Sequence, residues 1–222
     1  NVMYLLDLPS FIIGQSVGQV FLQESAVAKA ARMNLAGLFE TVFNRMITIG
    51  TFPFAIIAII GPELFELFLG ARWTESGVFA QILAPQIFLS FLLRSITTLF
   101  GTLGKQELNL ISNALLLFLR VAILIYGGLM LRDVRLVLFI YMAVNVVSHL
   151  WRISLLIRVA KVSATRAITH FLRCIAYVAP SVMPIVAMKW WFDLKAIYLA
   201  ALTPIFAIIY IALVLRHDQE LR

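Results

Sequence analysis

Charge is scarce in this sequence: 13% of its 222 residues are Asp, Glu, Lys or Arg, whereas 62% are hydrophobic. Soluble globular domains carry about 25% charged residues. So little charge excludes a water-soluble globular domain and indicates an integral membrane protein. The formal net charge of +7 does not indicate a nucleic-acid partner, because the basic residues lie between apolar segments and do not form one hydrophilic patch.

Several chemical signatures are missing as well. The single cysteine, Cys174, cannot form an internal disulfide, and its position inside an apolar run predicts a small buried side chain. The sequence has no HExxH, GxSxG or Walker motif, no cysteine pair and no group of His and carboxylate residues with metal-ligand spacing. We therefore predict no enzyme activity, no metal site and no cofactor. The even polar/apolar alternation of membrane strands is also absent, so the predicted fold class is all-α.

What the sequence does contain is a series of apolar segments, several of which approach the roughly 20 residues that a helical membrane span needs. They predict a polytopic helical membrane protein with about seven transmembrane helices in a single membrane domain, residues 1–222. The chain begins at Asn1, close to apolar sequence, and we expect it to be a fragment of a longer protein. The predicted spans are residues 3–23, 43–62, 77–103, 108–130, 134–156, 169–188 and 195–215.

Lys and Arg are distributed unevenly over the joints between these spans. Because cytoplasmic loops are enriched in Lys and Arg, the richer end is predicted to be cytoplasmic, with Asn1 outside and Arg222 inside. The cytoplasmic group comprises Lys29, Arg32, Arg45, Lys105, Arg152, Arg158, Lys161, Arg166, Arg173, Arg216 and Arg222. The opposite group comprises Arg72, Arg132, Arg135, Lys189 and Lys195, accompanied by acidic residues.

The segment 61–73, GPELFELFLGARW, is the sharpest interruption of the apolar sequence. Proline lacks the amide hydrogen that a helix needs, so Gly61-Pro62 predicts the end of the second span. Apolar residues of this segment can share one side, while its charged residues and Trp73 suit the headgroup layer. This pattern predicts a short helix on the membrane surface, and a solvated loop is the alternative. The apolar residues are Leu64, Phe65, Leu67 and Phe68.

Three successive spans, the third to the fifth, each carry polar residues at helical spacing, and the first span has a polar line beside Gly14 and Gly18. We predict that these stripes enclose a hydrophilic cavity. Its predicted lining residues are Gln15, Gln19, Ser90, Thr97, Thr98, Asn109, Asn113 and Asn145, together with Arg94 and Arg120. His149 and Arg152 continue the stripe of the fifth span and are expected near the cytoplasmic interface.

Arg120 and Arg94 are the candidate substrate-binding residues. Arg120 lies about midway along its span, where an arginine facing lipid costs about 2.5–3.5 kcal/mol, so it should face the cavity or pair with a helix carbonyl, Asn113 or Asn145. Arg94 lies nearer the cytoplasmic end and could face the cavity or reach the headgroups. Acidic residues are nearly missing from these spans. A cavity of this kind should attract anions, and guanidinium groups suit phosphate oxygens.

Three segments, in this order, resemble a known family: LPSFIIGQSVGQVFLQESA, GPELFELFLGARWTESGVFAQILAP and GTLGKQELNLISNALLLFLRV. They are similar to the carboxy-terminal half of bacterial polysaccharide biosynthesis proteins of the lipid-linked oligosaccharide (O-antigen type) flippase group. That group belongs to the multidrug/oligosaccharidyl-lipid/polysaccharide exporter superfamily. The resemblance covers roughly residues 1–130, and the remainder is similar in hydropathy and charge only.

The resemblance implies a bacterial inner-membrane protein of two six-helix lobes plus two extra spans, of which this chain would be the last seven helices. It implies a lipid-pyrophosphate-linked glycan, used for polysaccharide or lipopolysaccharide synthesis, moved to the outer leaflet by alternating access of the lobes. The expected partners are this substrate, membrane lipids and the amino-terminal lobe. Members of the group bind the anionic head group through cationic cavity residues, a role that Arg120 and Arg94 match by type and depth.

Two other functions are compatible with the sequence. A multidrug exporter of the same superfamily is disfavoured by the scarcity of intramembrane acids, and a cation-extrusion assay distinguishes it from a flippase. A membrane enzyme that transfers or polymerises lipid-linked sugars normally needs a large catalytic loop, whereas the longest joint here is about twenty residues.

Overall fold

A computed structural model describes residues 2–30, 35–130, 133–192 and 196–217, and no strand occurs within these ranges. The predicted all-α fold class is confirmed for this part of the chain. A short 3₁₀ turn, Ala71–Trp73, precedes the third helix. The α-helices are α1 (Val2–Ala30), α2 (Leu35–Leu69), α3 (Thr74–Ile96), α4 (Thr98–Thr102), α5 (Gln106–Met130), α6 (Val134–Ala160), α7 (Ala164–Phe192) and α8 (Ala196–His217).

Within the described residues, five helical segments are long and apolar enough to cross a membrane, and the chain is therefore a membrane protein. They are Leu35–Leu69, Ala71–Thr102, Gln106–Met130, Val134–Ala160 and Ala164–Lys189, while Leu202–Val214 forms a shorter apolar helix. Within the described residues the seven predicted spans lie on helix except at Thr97 and Leu103, and neither α1 nor α8 is among these five segments. Residue 195 of the last predicted span lies outside the described residues, as do Arg32, Arg132, Lys195 and Arg222 of the charge groups.

The segment Ala71–Thr102, which contains α3, is the most buried of these five candidate spans, and α3 packs against α1, α2 and α6. Large apolar side chains of α2 and α3 form the main core, in which Phe39, Met46 and Ile96 are almost fully buried. A smaller apolar cluster joins α2 to α7 and α8, with Ile60 and Ile185 at 0% exposure. The two clusters place α2 and α3 at the centre and α7 and α8 at one side.

Small residues bring α1 close to α3. A Cβ atom added at Gly14 would lie 3.1 Å from the Cβ of Arg94, and one at Gly18 would lie 3.1 Å from the Arg94 carbonyl oxygen. The hydroxyl of Ser95 donates a hydrogen bond of 3.2 Å to the Gly14 carbonyl. This close approach is what a track of small residues allows between membrane helices.

Polar contacts join helix ends in the pattern that alternating up and down spans require. Glu75, at the start of α3, pairs with Arg135, at the start of α6, at 3.5 Å. At the opposite ends, the Ser25 and Thr102 hydroxyls of α1 and α4 are 2.8 Å apart. Asp133 caps α6, because its side chain accepts a 2.8 Å hydrogen bond from the Arg135 amide.

The second helix kinks at Ile60, whose φ and ψ angles of −118° and 27° are not helical. Pro62 has no amide hydrogen for the Ala58 carbonyl. The Gln81 side-chain amide of α3 donates to Ala58 O at 3.2 Å and to Ile59 O at 2.8 Å. Lys189 of α7 donates to Ile59 O at 2.7 Å. Neighbouring helices thus satisfy the carbonyls that the kink exposes, as a membrane interior requires.

Beyond the kink the chain stays helical to Leu69, so the loop alternative for GPELFELFL is wrong. Phe65 is buried, whereas Phe68 is 74% exposed, so the apolar residues do not all pack on one protein surface. Glu63 forms a 2.8 Å ion pair with Lys189 instead of being simply solvated. Gly70 then turns the chain with φ of +93°, a value that side-chain-bearing residues rarely adopt.

The charge distribution and the helix order make a prediction about topology. Cysteines introduced at Ala71 and Ala164, both exposed and at opposite ends of the spans, should react with an impermeant thiol reagent from opposite faces of the membrane. The measurement is labelling of intact and inverted vesicles carrying the full-length protein, with Cys174 and any other native cysteine replaced. Labelling of both positions from one face would contradict the topology.

Candidate functional site

A polar pocket of about 280 Å³ lies between α3, α5 and α6, open on one side. Its walls are built from the faces of these helices that carry polar residues at spacings of three and four. The lining residues are Ser90, Leu93, Arg94, Thr97, Asn109, Asn113, Leu116, Arg120, His149 and Arg152. These side chains include three guanidinium groups and no carboxylate, so the described wall of the pocket is positively charged.

Arg120 is held against α6 by two contacts. Its Nε donates a 2.7 Å hydrogen bond to the side-chain oxygen of Asn145. The Asn145 amide in turn donates to the Tyr141 carbonyl at 2.7 Å, and the Arg120 guanidinium lies 5.9 Å from the centre of the Tyr141 ring. Asn145 is fully buried. The orientation of Arg120 is therefore set before any ligand enters the pocket.

Arg152 is held from the other side, by α5. Its Nη2 donates a 2.9 Å hydrogen bond to the side-chain oxygen of Asn109. The same oxygen accepts a 3.2 Å hydrogen bond from the Asn113 amide, one turn further along α5. The spacing of four residues between the two asparagines is what allows this helical pair. The pocket is thus crossed by hydrogen bonds that tie α5 to α6 at two levels.

Nδ1 of His149 and Nε of Arg152 are buried polar atoms of pocket-lining residues, and neither has a hydrogen-bond partner among the described residues. The side chains are strongly buried, with 3% of His149 and 7% of Arg152 exposed. Sequence reasoning left both residues out of the cavity. The signal was nevertheless present, because they continue the stripe of Tyr141 and Asn145 at helical spacing.

The structure brings most of the predicted site residues together but separates others from the pocket. Ser90, Arg94, Thr97, Asn109, Asn113 and Arg120 all line it. Asn145 lies behind Arg120, and the Thr98 hydroxyl donates to the Ser95 carbonyl at 3.4 Å. Gln15 and Gln19 are exposed on α1 and do not line the pocket.

A second group of buried polar side chains joins α2 to α7 and α8. Nε2 of His170 lies 3.2 Å from both the Thr48 hydroxyl and the Asn44 carbonyl. The Tyr210 hydroxyl donates to the Thr48 carbonyl at 2.7 Å, and Cys174 is 2% exposed. Sequence analysis predicted the buried cysteine but not the group, whose only sequence signal is the four-residue spacing of His170 and Cys174. These contacts fasten α7 and α8 to the core.

Comparison with protein-family models, with curated proteins and with solved structures finds no match. The pocket must therefore be interpreted from its own chemistry. Within the described residues no group of three or more His, Cys, Asp or Glu could hold a metal ion. Three arginines facing one polar space can bind an anion, and guanidinium groups match phosphate and carboxylate oxygens especially well.

Proposed function

We propose that this chain is part of a transporter that flips a lipid-pyrophosphate-linked oligosaccharide across the bacterial inner membrane. The observation that supports this proposal is the pocket between α3, α5 and α6, where Arg94, Arg120 and Arg152 face a polar space whose described lining has no carboxylate. A pyrophosphate head group carries the charge and the oxygens that such a pocket binds.

In this proposal the chain is one lobe of a two-lobe transporter and contributes about seven membrane spans. An amino-terminal lobe would face the open side of the pocket. The glycan-bearing head group would then enter from one leaflet and leave toward the other as the lobes alternate. Arg120 and Arg94 would contact the pyrophosphate, and the product would serve polysaccharide or lipopolysaccharide synthesis.

The charge of the pocket also favours this function over the export of lipophilic drugs. A drug exporter that carries cations would need acidic groups where the substrate binds, and three guanidinium groups in one small pocket would repel such a substrate. The binding of an anionic lipid head group is favoured by the same positive charges.

The proposal is tested by reconstituting the full-length protein into vesicles that contain a lipid-linked oligosaccharide in the inner leaflet only. An impermeant glycosidase outside the vesicles reports how fast the glycan reaches the outer leaflet. We expect glycan exposure to be much faster than in protein-free vesicles. Exposure at the protein-free rate, together with extrusion of a lipophilic cation, would instead identify a drug exporter.

A further inference from the structure

The proposed function leaves open which pocket groups bind the anion. The hydrogen bonds of the pocket distinguish groups that already have a protein partner from groups that do not. Nε of Arg120 is already committed to Asn145. By contrast, Nε of Arg152 and Nδ1 of His149 are buried, belong to side chains that line the same pocket, and have no hydrogen-bond partner in the part of the chain that the structure describes. Buried donors are nearly always satisfied in proteins, so donors without a partner in side chains that line a pocket indicate a ligand atom or a water.

The chemistry of the two atoms limits which ligand atoms they can bind. The Arg152 Nε–H can only donate. The neutral His149 ring donates from Nδ1 in one of its two tautomers. A ligand atom that accepts a hydrogen bond from Arg152 Nε, or from His149 Nδ1 in that tautomer, is an acceptor, and the arginine charges of the pocket favour an anionic oxygen over the neutral hydroxyl of a sugar.

We propose that His149 and Arg152 form an oxyanion-binding wall, which donates hydrogen bonds to oxygen atoms of a phosphate-type group. Asn109 is the positioning residue of this wall. Asn109 holds Nη2 of Arg152 at 2.9 Å and so fixes the plane of the guanidinium group. Arg94 and Arg120 add positive charge on the other sides of the pocket. This inference rests on the proposed function, because it assigns the contacts within the proposed pyrophosphate site.

Binding of inorganic pyrophosphate to the purified full-length protein in lipid nanodiscs tests the wall, measured by equilibrium dialysis with radiolabelled ligand. His149→Phe removes Nδ1, and Arg152→Lys keeps the charge but loses Nε and the fork geometry. We expect each to weaken binding by about tenfold or more, since a hydrogen bond to a charged group is lost. His170→Phe is the matched control, because it alters a buried histidine in the group between α2 and α7, and its binding should equal that of the wild type.

Thermal unfolding of each variant shows whether it is folded, and Arg152→Lys remains informative if His149→Phe is unstable. Pyrophosphate binding within twofold of the wild type in folded variants would refute the oxyanion-binding wall. Nδ1 of His149 and Nε of Arg152 would then bind only water. A loss of binding confined to Arg120→Ala would also overturn it while leaving the proposed function intact. Failure of the wild-type protein to bind pyrophosphate would refute the pyrophosphate site itself.

Discussion

Arg120→Ala in the full-length protein is expected to abolish glycan export while leaving its amount in the membrane near normal. The guanidinium group lines the pocket and is oriented by Asn145 and Tyr141, so its loss removes a preorganised positive charge. Arg120→Lys should recover only part of the activity, because lysine keeps the charge but not the planar fork. The measurement is glycan exposure in the vesicle assay, normalised to protein abundance.

The hydrogen bond to Asn145 gives the competing explanation, in which Arg120 only holds α5 against α6. In that case the abundance of Arg120→Ala in the membrane falls in step with its activity, because the buried side-chain oxygen of Asn145 loses its hydrogen-bond donor. Arg120→Gln would then restore both, since glutamine can donate to the same oxygen. Arg135→Ala is the matched control, because Arg135 is exposed and pairs only with Glu75 among the described residues. Full export by normally abundant Arg120→Ala would refute the binding role.

The polar pocket was largely predictable because helical spacing is a local property. Ser90 and Arg94 share one face of α3 for the same reason that Asn109 and Asn113 share one face of α5, and Thr97 continues the α3 spacing at its C-cap. Burial of an arginine in the middle of a span forces that face toward protein or water. The sequence therefore predicts which faces are polar, and the packing of α6 beside α3 brings those faces together.

Other features depend on contacts between distant residues, which spacing does not report. Gln15 and Gln19 form a polar line on α1, but Gly14 and Gly18 occupy the contact with α3 and leave the glutamines exposed. His170 meets Thr48 across 122 residues of sequence, a contact fixed by how α7 docks on α2. Periodicity identifies the face of a helix, whereas tertiary packing selects the neighbour of that face.

The capping of the kink is a third feature that the sequence did not reveal. Gly61-Pro62 predicted the end of the second span, but the chain kinks at Ile60 and continues as helix to Leu69. The missing amide hydrogen of proline accounts for the kink. The donors that serve the freed carbonyls come from Gln81 and Lys189, on two other helices. The hydrogen bonding of the kink therefore depends on the contact of α2 with α3 and α7. If these helices are moved apart, the carbonyls at the kink should lose their donors.

Gly77→Ala is accordingly expected to destabilise the protein more than any other glycine-to-alanine change in the described part of the chain. A Cβ atom at position 77 would lie 2.4 Å from Cα of Pro62 and 2.6 Å from the Gly61 carbonyl oxygen. Both are backbone atoms, so the clash cannot be relieved by turning a side chain. Overpacking of this kind costs about 3 kcal/mol when the backbone must move.

Moving α3 away from the kink also carries Gln81 away from the Ala58 and Ile59 carbonyls, which then lose their donors inside the membrane. We therefore expect Gly77→Ala to lower both membrane abundance and the unfolding temperature of the purified protein. Gly128→Ala is the matched control: it adds the same methyl group to α5 at a position where, apart from the adjoining backbone, no atom of the described residues lies within 4 Å of the new Cβ. Equal unfolding temperatures for the two variants would show that α2 and α3 are not in close contact at Gly61 and Gly77.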